Sequence, residues 1–319
     1  MQNGLVTVLG GSGFLGRYVV RALVADGWRV RVAVRRPHTA NTLKVIGAVG
    51  QVQLVQANLR DEPSIRRAIN GADAVVNMVA VLYEKGAQSF EALHVKGADI
   101  IARACADEGI SNLVHVSSIG ADADSKSDYS RTKAEGEALI RASVPSADIL
   151  RPSIMFGPED AFFNRFAAMT QFAPALPLLG GGQTKFQPVY VEDVASAAAK
   201  RISAGTSGKT YELGGPRTYS FKELMQLMLS VIDRKRLLVP VPWTAAHMMG
   251  AMGDLSGALP FIAPFLTRDQ VENLKIDNVV AGDALGFEEL GITPETVEAI
   301  IPTYLEKYRK YGQFHEKRA

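Results

Sequence analysis

The sequence predicts an α/β protein in which a parallel sheet is covered by helices on both faces and followed by a smaller, irregular C-terminal lobe. Three observations predict it. Short β-branched runs alternate with amphipathic stretches from Leu5 to about Arg151. The runs are continuously apolar rather than alternating, as strands are when helices bury both faces. After Arg151 the texture turns to Pro- and Gly-rich loops such as FGPED and LPLLGGGQ.

In chain order, LVTVLG reads as the first strand and Tyr18 to Asp26 as the first helix, while RVRVAV, QVQLVQ, ADAVVNMVA, NLVHVSS and ADILRP supply further strands. The large domain is expected over residues 1–152. FQPVYVEDVASAAAKRI, within residues 184–203, reads as one more strand and helix returning to it, and residues 153–183 and 204–319 are left for the small lobe.

With 319 residues, 47% hydrophobic and 21% charged, the chain can bury one large core or two unequal ones. Thirty-five basic residues against 33 acidic leave a formal charge of +2, so no global field points to nucleic acid as a partner. Cys105 stands alone in the apolar run IIARACA, which excludes an intrachain disulfide and a multi-cysteine metal site; no metal is expected. The first strand opens by Gly4 or Leu5, so no signal or transit peptide is expected ahead of it, and the chain is expected in the cytoplasm or with a presequence removed. No window reaches the roughly eighteen uninterrupted apolar residues of a spanning helix.

Between the first strand and first helix stand Gly10, Gly11, Ser12, Gly13, Phe14, Leu15 and Gly16. Gly10, Gly13 and Gly16 have GxxGxxG spacing, which permits a tight turn, a close backbone approach to a pyrophosphate and close helix–strand packing; the helix N-terminus offers N–H groups to the anion. A lone glycine motif is weak, but this one lies where the chemistry needs it. At the end of the second strand, where an acidic residue would accept the ribose hydroxyls of NAD(H), the chain carries Arg35 and Arg36. Guanidinium groups there suit a 2′-phosphate and favour NADP(H) over NAD(H), with one of the two pointing to solvent as the alternative. Asn58 and Leu59, then Val79 and Ala80, end the third and fourth strands and are candidate contacts to the adenine and pyrophosphate.

Ser117, Ser118 and Ile119 follow the fifth strand, and Tyr129 and Lys133 lie four apart, on one face of a helix. A lysine there favours the phenolate and tunes a tyrosine to donate a proton to a carbonyl, and it can also hold the nicotinamide ribose.

GGSGFLG, VSSIGA, YSRTK, RPSIMFGPED and PVYVEDVA resemble the extended and atypical short-chain dehydrogenase/reductase superfamily across nearly the whole chain. The run from Arg151 to Asp160 with FFNRFA, and then FQPVYVEDVA, is similar to the nucleotide-binding accessory subunits of respiratory complex I and their bacterial relatives. The resemblance implies a tightly held, structural NADPH on a subunit docked to other complex I subunits near the membrane. It places the chain peripherally on the cytoplasmic side of a bacterial inner membrane, or on the matrix side in a mitochondrion. Gly10, Gly13 and Gly16 would then hold the pyrophosphate, Arg35 or Arg36 the 2′-phosphate, and Tyr129 with Lys133 the nicotinamide ribose. Ser117, Pro152 and Ile154 complete the candidate cofactor contacts. One departure matters: active extended members carry a Ser or Thr where this chain has Ile119, which cannot donate to a carbonyl. Ser117 or Ser118 could substitute, which keeps open an NADPH-dependent reductase or epimerase acting on a small carbonyl or sugar nucleotide. A redox-sensing regulator that binds NADP(H) and a partner protein would use the same residues.

In the small lobe, Trp243 to Leu266 is apolar but broken by Pro, Gly and Asp254, and reads as core or as a shallow seat at a lipid interface. His247 reads as a helix residue with no second ligand at metal spacing. Pro294 to Tyr311 has helical spacing that Pro302 should kink or split, and ends in Lys307, Arg309, Lys310, Lys317 and Arg318, a solvated tail or a contact for anionic headgroups.

Overall fold

The computed structural model describes residues 4–257 and 263–314. The chain divides into two compact units. The first comprises Met1–Pro152, Glu192–Leu213 and Gly282–Ile292; the second comprises Ser153–Val191, Gly214–Ala281 and Thr293–Ala319.

The first unit begins β1 (Leu5–Leu9), α1 (Phe14–Ala25), β2 (Arg29–Val34), β3 (Val52–Gln56), α2 (Glu62–Ile69), β4 (Ala74–Asn77), α3 (Lys96–Asp107), β5 (Leu113–Val116), α4 (Asp128–Ser143) and β6 (Asp148–Pro152). The second unit then contributes β7 (Met155–Phe156), α5 (Phe163–Met169), β8 (Ala175–Leu179), β9 (Lys185–Phe186) and β10 (Val189–Tyr190). With α6 (Val191–Ala204) and β11 (Thr210–Leu213) the chain is back in the first unit, which completes a seven-stranded parallel sheet in the order β11-β6-β5-β4-β1-β2-β3. This is a doubly wound Rossmann-type sheet. Its order reverses at β1, between β2 and β4, so the carboxyl ends of β1 and β4 flank the crevice where such sheets bind ligands. β4 and β5 are buried along their whole length, which explains their uninterrupted apolar sequences.

Two segments sit differently from the sequence pattern. FQPVYV forms β9 and β10, of which β10 pairs with β7 in the second unit; only the helix α6 belongs to the first. The YEL segment, expected in the small lobe, is β11, which pairs with β6 from Thr210↔Ile149 to Leu213↔Pro152. Buried Asp148 pins this edge by accepting the N–H groups of Ser207 and Lys209 and the Arg201 guanidinium at 2.6 Å. A four-residue strand carries too little periodicity to be placed by pattern, whereas a buried carboxylate with three donors fixes it.

The second unit has its own core, built from Phe156, Phe163, Leu176, Phe186 and Phe221 with methionines and leucines of α7 (Phe221–Val231). Ser220, in β12 (Tyr219–Ser220), starts α7 with a capping box to Glu223. After β13 (Leu237–Val241), α8 (Trp243–Gly257) buries Ala246, Gly250 and Gly253 and exposes Met248, Met252 and Leu255. A Cβ on Gly253 would lie 1.7 Å from the Leu266 carbonyl, so the returning segment packs on bare helix backbone. The apolar stretch that the sequence marks at Trp243 to Leu266 is therefore part core and part surface; Leu259, Phe261 and Ile262 lie outside the described residues. His247 sits on α8 with Nε2 3.2 Å from Glu272, which belongs to α9 (Arg268–Asn273). The C-terminal helical pattern is split at Pro302 into α10 (Val297–Ile300) and α11 (Pro302–Leu305); Lys317 and Arg318 lie outside the described residues. No helix among the described residues is long and apolar enough to cross a membrane.

The FGPED turn is anchored by buried Asp160, which accepts the N–H groups of Gly157, Phe162 and Asn164 and the Tyr304 hydroxyl at 2.6 Å. Burial raises its pKa against these donors. Removing one partner of a buried group leaves the other unsatisfied, so Tyr304→Phe should cost about 1–3 kcal/mol, read as a lower urea midpoint at unchanged slope.

Candidate functional site

The glycine motif forms a cradle at the crevice. Gly10 has φ +85°, open to glycine at little cost, and a Cβ there would press within 3.3 Å of the Met78 and Val79 backbone. Gly13 caps α1, and its N–H donates to the Gly10 carbonyl at 2.9 Å. Gly16 is the strictest: a Cβ would stand 2.3 Å from the Gly10 carbonyl and 2.6 Å from the Gly11 Cα, both backbone atoms. Gly11 lies against Val8, Val20 and Val32. Helix α1 opens with no side-chain cap and no acidic residue in its first turn, which leaves its positive end for an anion. Ser12 is exposed, Phe14 half-buried and Leu15 buried in that turn.

Around the cradle, β2 ends in exposed Arg35 and Arg36, and Arg35 Nη1 donates to Gln88 Oε1 at 2.7 Å. Val79 N–H donates to Asn77 Oδ1, and Ala80 is exposed. Asn58 makes a local turn, its Oδ1 accepting Arg60 N–H, while Leu59 is buried against Gly97. The β5 end places Ser117 N–H on the Leu150 carbonyl and Ile119 N–H on the Pro152 carbonyl. Ile119 is buried, and the hydroxyls of Ser117 and Ser118 are buried without a hydrogen-bond partner. Ile154 belongs to the second unit, where its N–H donates to Asn278 Oδ1 at 3.1 Å and its carbonyl accepts Val189 N–H.

Helix α4, started by the Ser127 side chain on Ser130 N–H, carries Tyr129, Lys133 and Glu137 on one face. Lys133 is buried, donates to the Val116 carbonyl at 2.8 Å, and is brought down to about 8 by burial, which Glu137 opposes. Glu137 in turn takes both prongs of Arg151 from β6, at 3.0 and 2.7 Å.

Two histidines complete the floor. His94 lies in a π-helical turn, Glu91–Val95, just before α3. Gly136 of α4 presses on that turn: a Cβ at Gly136 would meet the His94 carbonyl at 2.3 Å, so the glycine serves close packing inside a helix. His94 Nε2 accepts Val81 N–H at 3.2 Å, which makes Nδ1 the protonated nitrogen, 3.1 Å from Thr132 Oγ1. Its ring stacks on Phe90 at 5.3 Å and meets Tyr129 edge-on at 5.4 Å. Burial, then the Lys133 charge, push His94 down to about 3. His115 Nδ1 accepts from Asn77 Nδ2 at 3.0 Å and is likewise held neutral, first by burial. Neither histidine stands out in the sequence, because a His in an apolar run looks like any core residue. Glu137 does carry a signal in the sequence: it repeats the spacing of Tyr129 and Lys133.

A cradle that only glycines fit, an uncapped helix N-terminus at the switch point and a buried, unsatisfied Ser117 hydroxyl fit a dinucleotide, and define a nucleotide-binding protein of Rossmann type. Residues 6–214 match the NAD dependent epimerase/dehydratase family, and the chain belongs to it. It is 37% identical to NADH dehydrogenase (ubiquinone) 1 alpha subcomplex subunit 9, mitochondrial, of Arabidopsis thaliana, over 97% of this chain and 79% of that one. It is 34% identical to the NADH-ubiquinone oxidoreductase 40 kDa subunit, mitochondrial, of Neurospora crassa, over 97% of this chain and 80% of that one. Among solved structures, the Citrobacter sp. triphenylmethane reductase complexed with NADP(H) superposes with a TM-score of 0.74 at 19% identity, covering 94% of this chain and 99% of that one, a likeness of fold.

Gly16→Ala should force backbone apart at about 1–3 kcal/mol of strain and weaken binding of a nicotinamide dinucleotide by about tenfold or more in calorimetric titration. The histidines set an acid limit. A pKa lowered in the folded state leaves stability intact above the unfolded value of 6.5 and removes it as pH falls from there towards about 3. His94→Gln should flatten the loss of unfolding free energy over that interval by about 1.4 kcal/mol per pH unit, one proton's share, in denaturant titrations at stepped pH.

Proposed function

We propose that this chain is an NADP(H)-binding, non-catalytic accessory subunit of a respiratory NADH:quinone oxidoreductase, seated peripherally at the membrane through its second unit. The seat is the cytoplasmic face of the inner membrane in a bacterium, or the matrix side in a mitochondrion. The observation that carries the reading is an intact nucleotide cradle together with a buried Ile119, in the place where a polarising hydroxyl would stand. Relatives named as subunits of that enzyme match nearly the whole chain and support it.

Gly10, Gly13 and Gly16, with the start of α1, would hold the pyrophosphate; Arg35 and Arg36, without an acidic neighbour at the end of β2, favour the 2′-phosphate; Tyr129 and Lys133 would hold the nicotinamide ribose. A bound nicotinamide supplies hydride chemistry, and nothing in the structural role requires it to react. The unpartnered hydroxyls of Ser117 and Ser118 favour a second reading, an NADPH-dependent reductase or epimerase in which they replace the missing group at Ile119.

Co-purification from gently solubilised native membranes separates the two. The accessory-subunit reading expects the chain to travel with NADH:quinone oxidoreductase subunits and Tyr129→Phe to leave respiration unchanged. A chain that elutes alone, or a Tyr129→Phe variant that abolishes carbonyl-dependent NADPH oxidation, would favour the reductase.

A further inference from the structure

A surface of the second unit combines exposed apolar tips with cations in a way that its own core does not explain. Phe172, on the turn that follows α5, is 90% exposed, and Leu237, at the start of β13, is 70% exposed. They are neighbours, because Leu237 N–H donates to the Pro174 carbonyl and both Arg236 Nε and Nη2 donate to the Thr170 carbonyl. The same strand continues the apolar face with half-exposed Val239. Arg234 Nε donates to the Tyr308 carbonyl and Arg309 Nε to the Val231 carbonyl, which brings in the C-terminal segment with its exposed Tyr311 and Phe314.

Between 233–236 and 306–311 this surface carries Arg234, Lys235, Arg236, Lys307, Arg309 and Lys310 against Asp233 and Glu306. Glu306 is already engaged by Arg309 at 3.3 Å. Lys235, Lys307 and Lys310 are exposed; the ammonium groups of Lys307 and Lys310 stand 5.1 Å over the Tyr308 and Tyr311 rings, on stems long enough to swing towards a headgroup.

We infer that this surface, Phe172, Leu237 and the aromatic C-terminal segment ringed by Lys235, Lys307 and Lys310, is the seat of the chain on an anionic lipid surface. The inference rests on the membrane-proximal reading above and names the face that makes the contact. Phe172 tops a turn instead of lining a groove, which suits a wedge entering the boundary between headgroups and acyl chains. Aromatic rings settle at that depth, and the net positive charge around them complements phosphate headgroups. Isolated exposed apolar residues need no explanation, but several gathered within one cationic rim do.

The test is flotation of the purified full chain with vesicles of phosphatidylcholine alone and of phosphatidylcholine mixed with phosphatidylglycerol, at low and high salt. Binding is expected to the anionic vesicles only and to weaken with salt. Lys235→Gln, Lys307→Gln and Lys310→Gln together should lower partitioning about a hundredfold, since each cation near such a surface contributes about fivefold. Phe172→Ser with Leu237→Ser should abolish what remains at high salt, and both substitutions lie on the surface, where folding is spared. No flotation by the wild-type chain, or flotation indifferent to these changes, overturns the inference. If instead the same variants lose respiratory-enzyme subunits on co-purification while vesicles are ignored, the surface is a protein interface and the inference fails with the accessory-subunit reading intact. If the chain floats but never co-purifies with those subunits, that reading fails and the lipid seat stands.

Discussion

Everything at the crevice depends on how close α1 comes to the turn that precedes it. Gly16 has room for a hydrogen and nothing larger against the Gly10 carbonyl, and Gly10 itself is held at positive φ against the β4 end. That contact sets the height of α1 on the sheet and aims its N-terminus at the gap between β1 and β4. The strand order sets the ends of these two divergent strands beside that N-terminus, the place where such sheets bind ligands. The site is therefore a consequence of packing before it is a matter of side-chain chemistry.

Beside it lies a buried, hydrogen-bonded polar floor. Lys133, His94, His115, Glu137 and Arg151 are bound to strand carbonyls, to loop amides or to one another, and both histidines are held neutral by burial. A floor of this kind fixes Tyr129 and the wall at Val81 in place. Ser117 and Ser118 are the exception, with buried hydroxyls that still lack a partner, and the cost of leaving them so is what a bound nucleotide would relieve. Rigid support with one unsatisfied edge is what retention of a ligand requires.

Much of this was legible in the sequence, for identifiable reasons. Strands buried on both faces announce themselves as apolar runs, and the glycine spacing and paired arginines sit at positions defined by those runs. What escaped depends on tertiary contact. β11 is too short to show a period, and it joins the large sheet because Asp148 gathers donors around it. The π-helical turn at His94 exists because Gly136 comes within contact of its carbonyl, a relation between residues forty-two positions apart that no local pattern encodes. The burial of Ser117 without a partner and the engagement of Arg35 by Gln88 are likewise properties of the folded chain.

The central claim is that the first unit retains NADP(H) as part of its structure. The most direct measurement is to isolate the chain from its native membrane without added nucleotide, denature it, and identify and count what is released by chromatography and mass spectrometry. The account predicts NADP(H) close to one per chain. Release of NAD(H), or of no nucleotide from a folded chain, would contradict it.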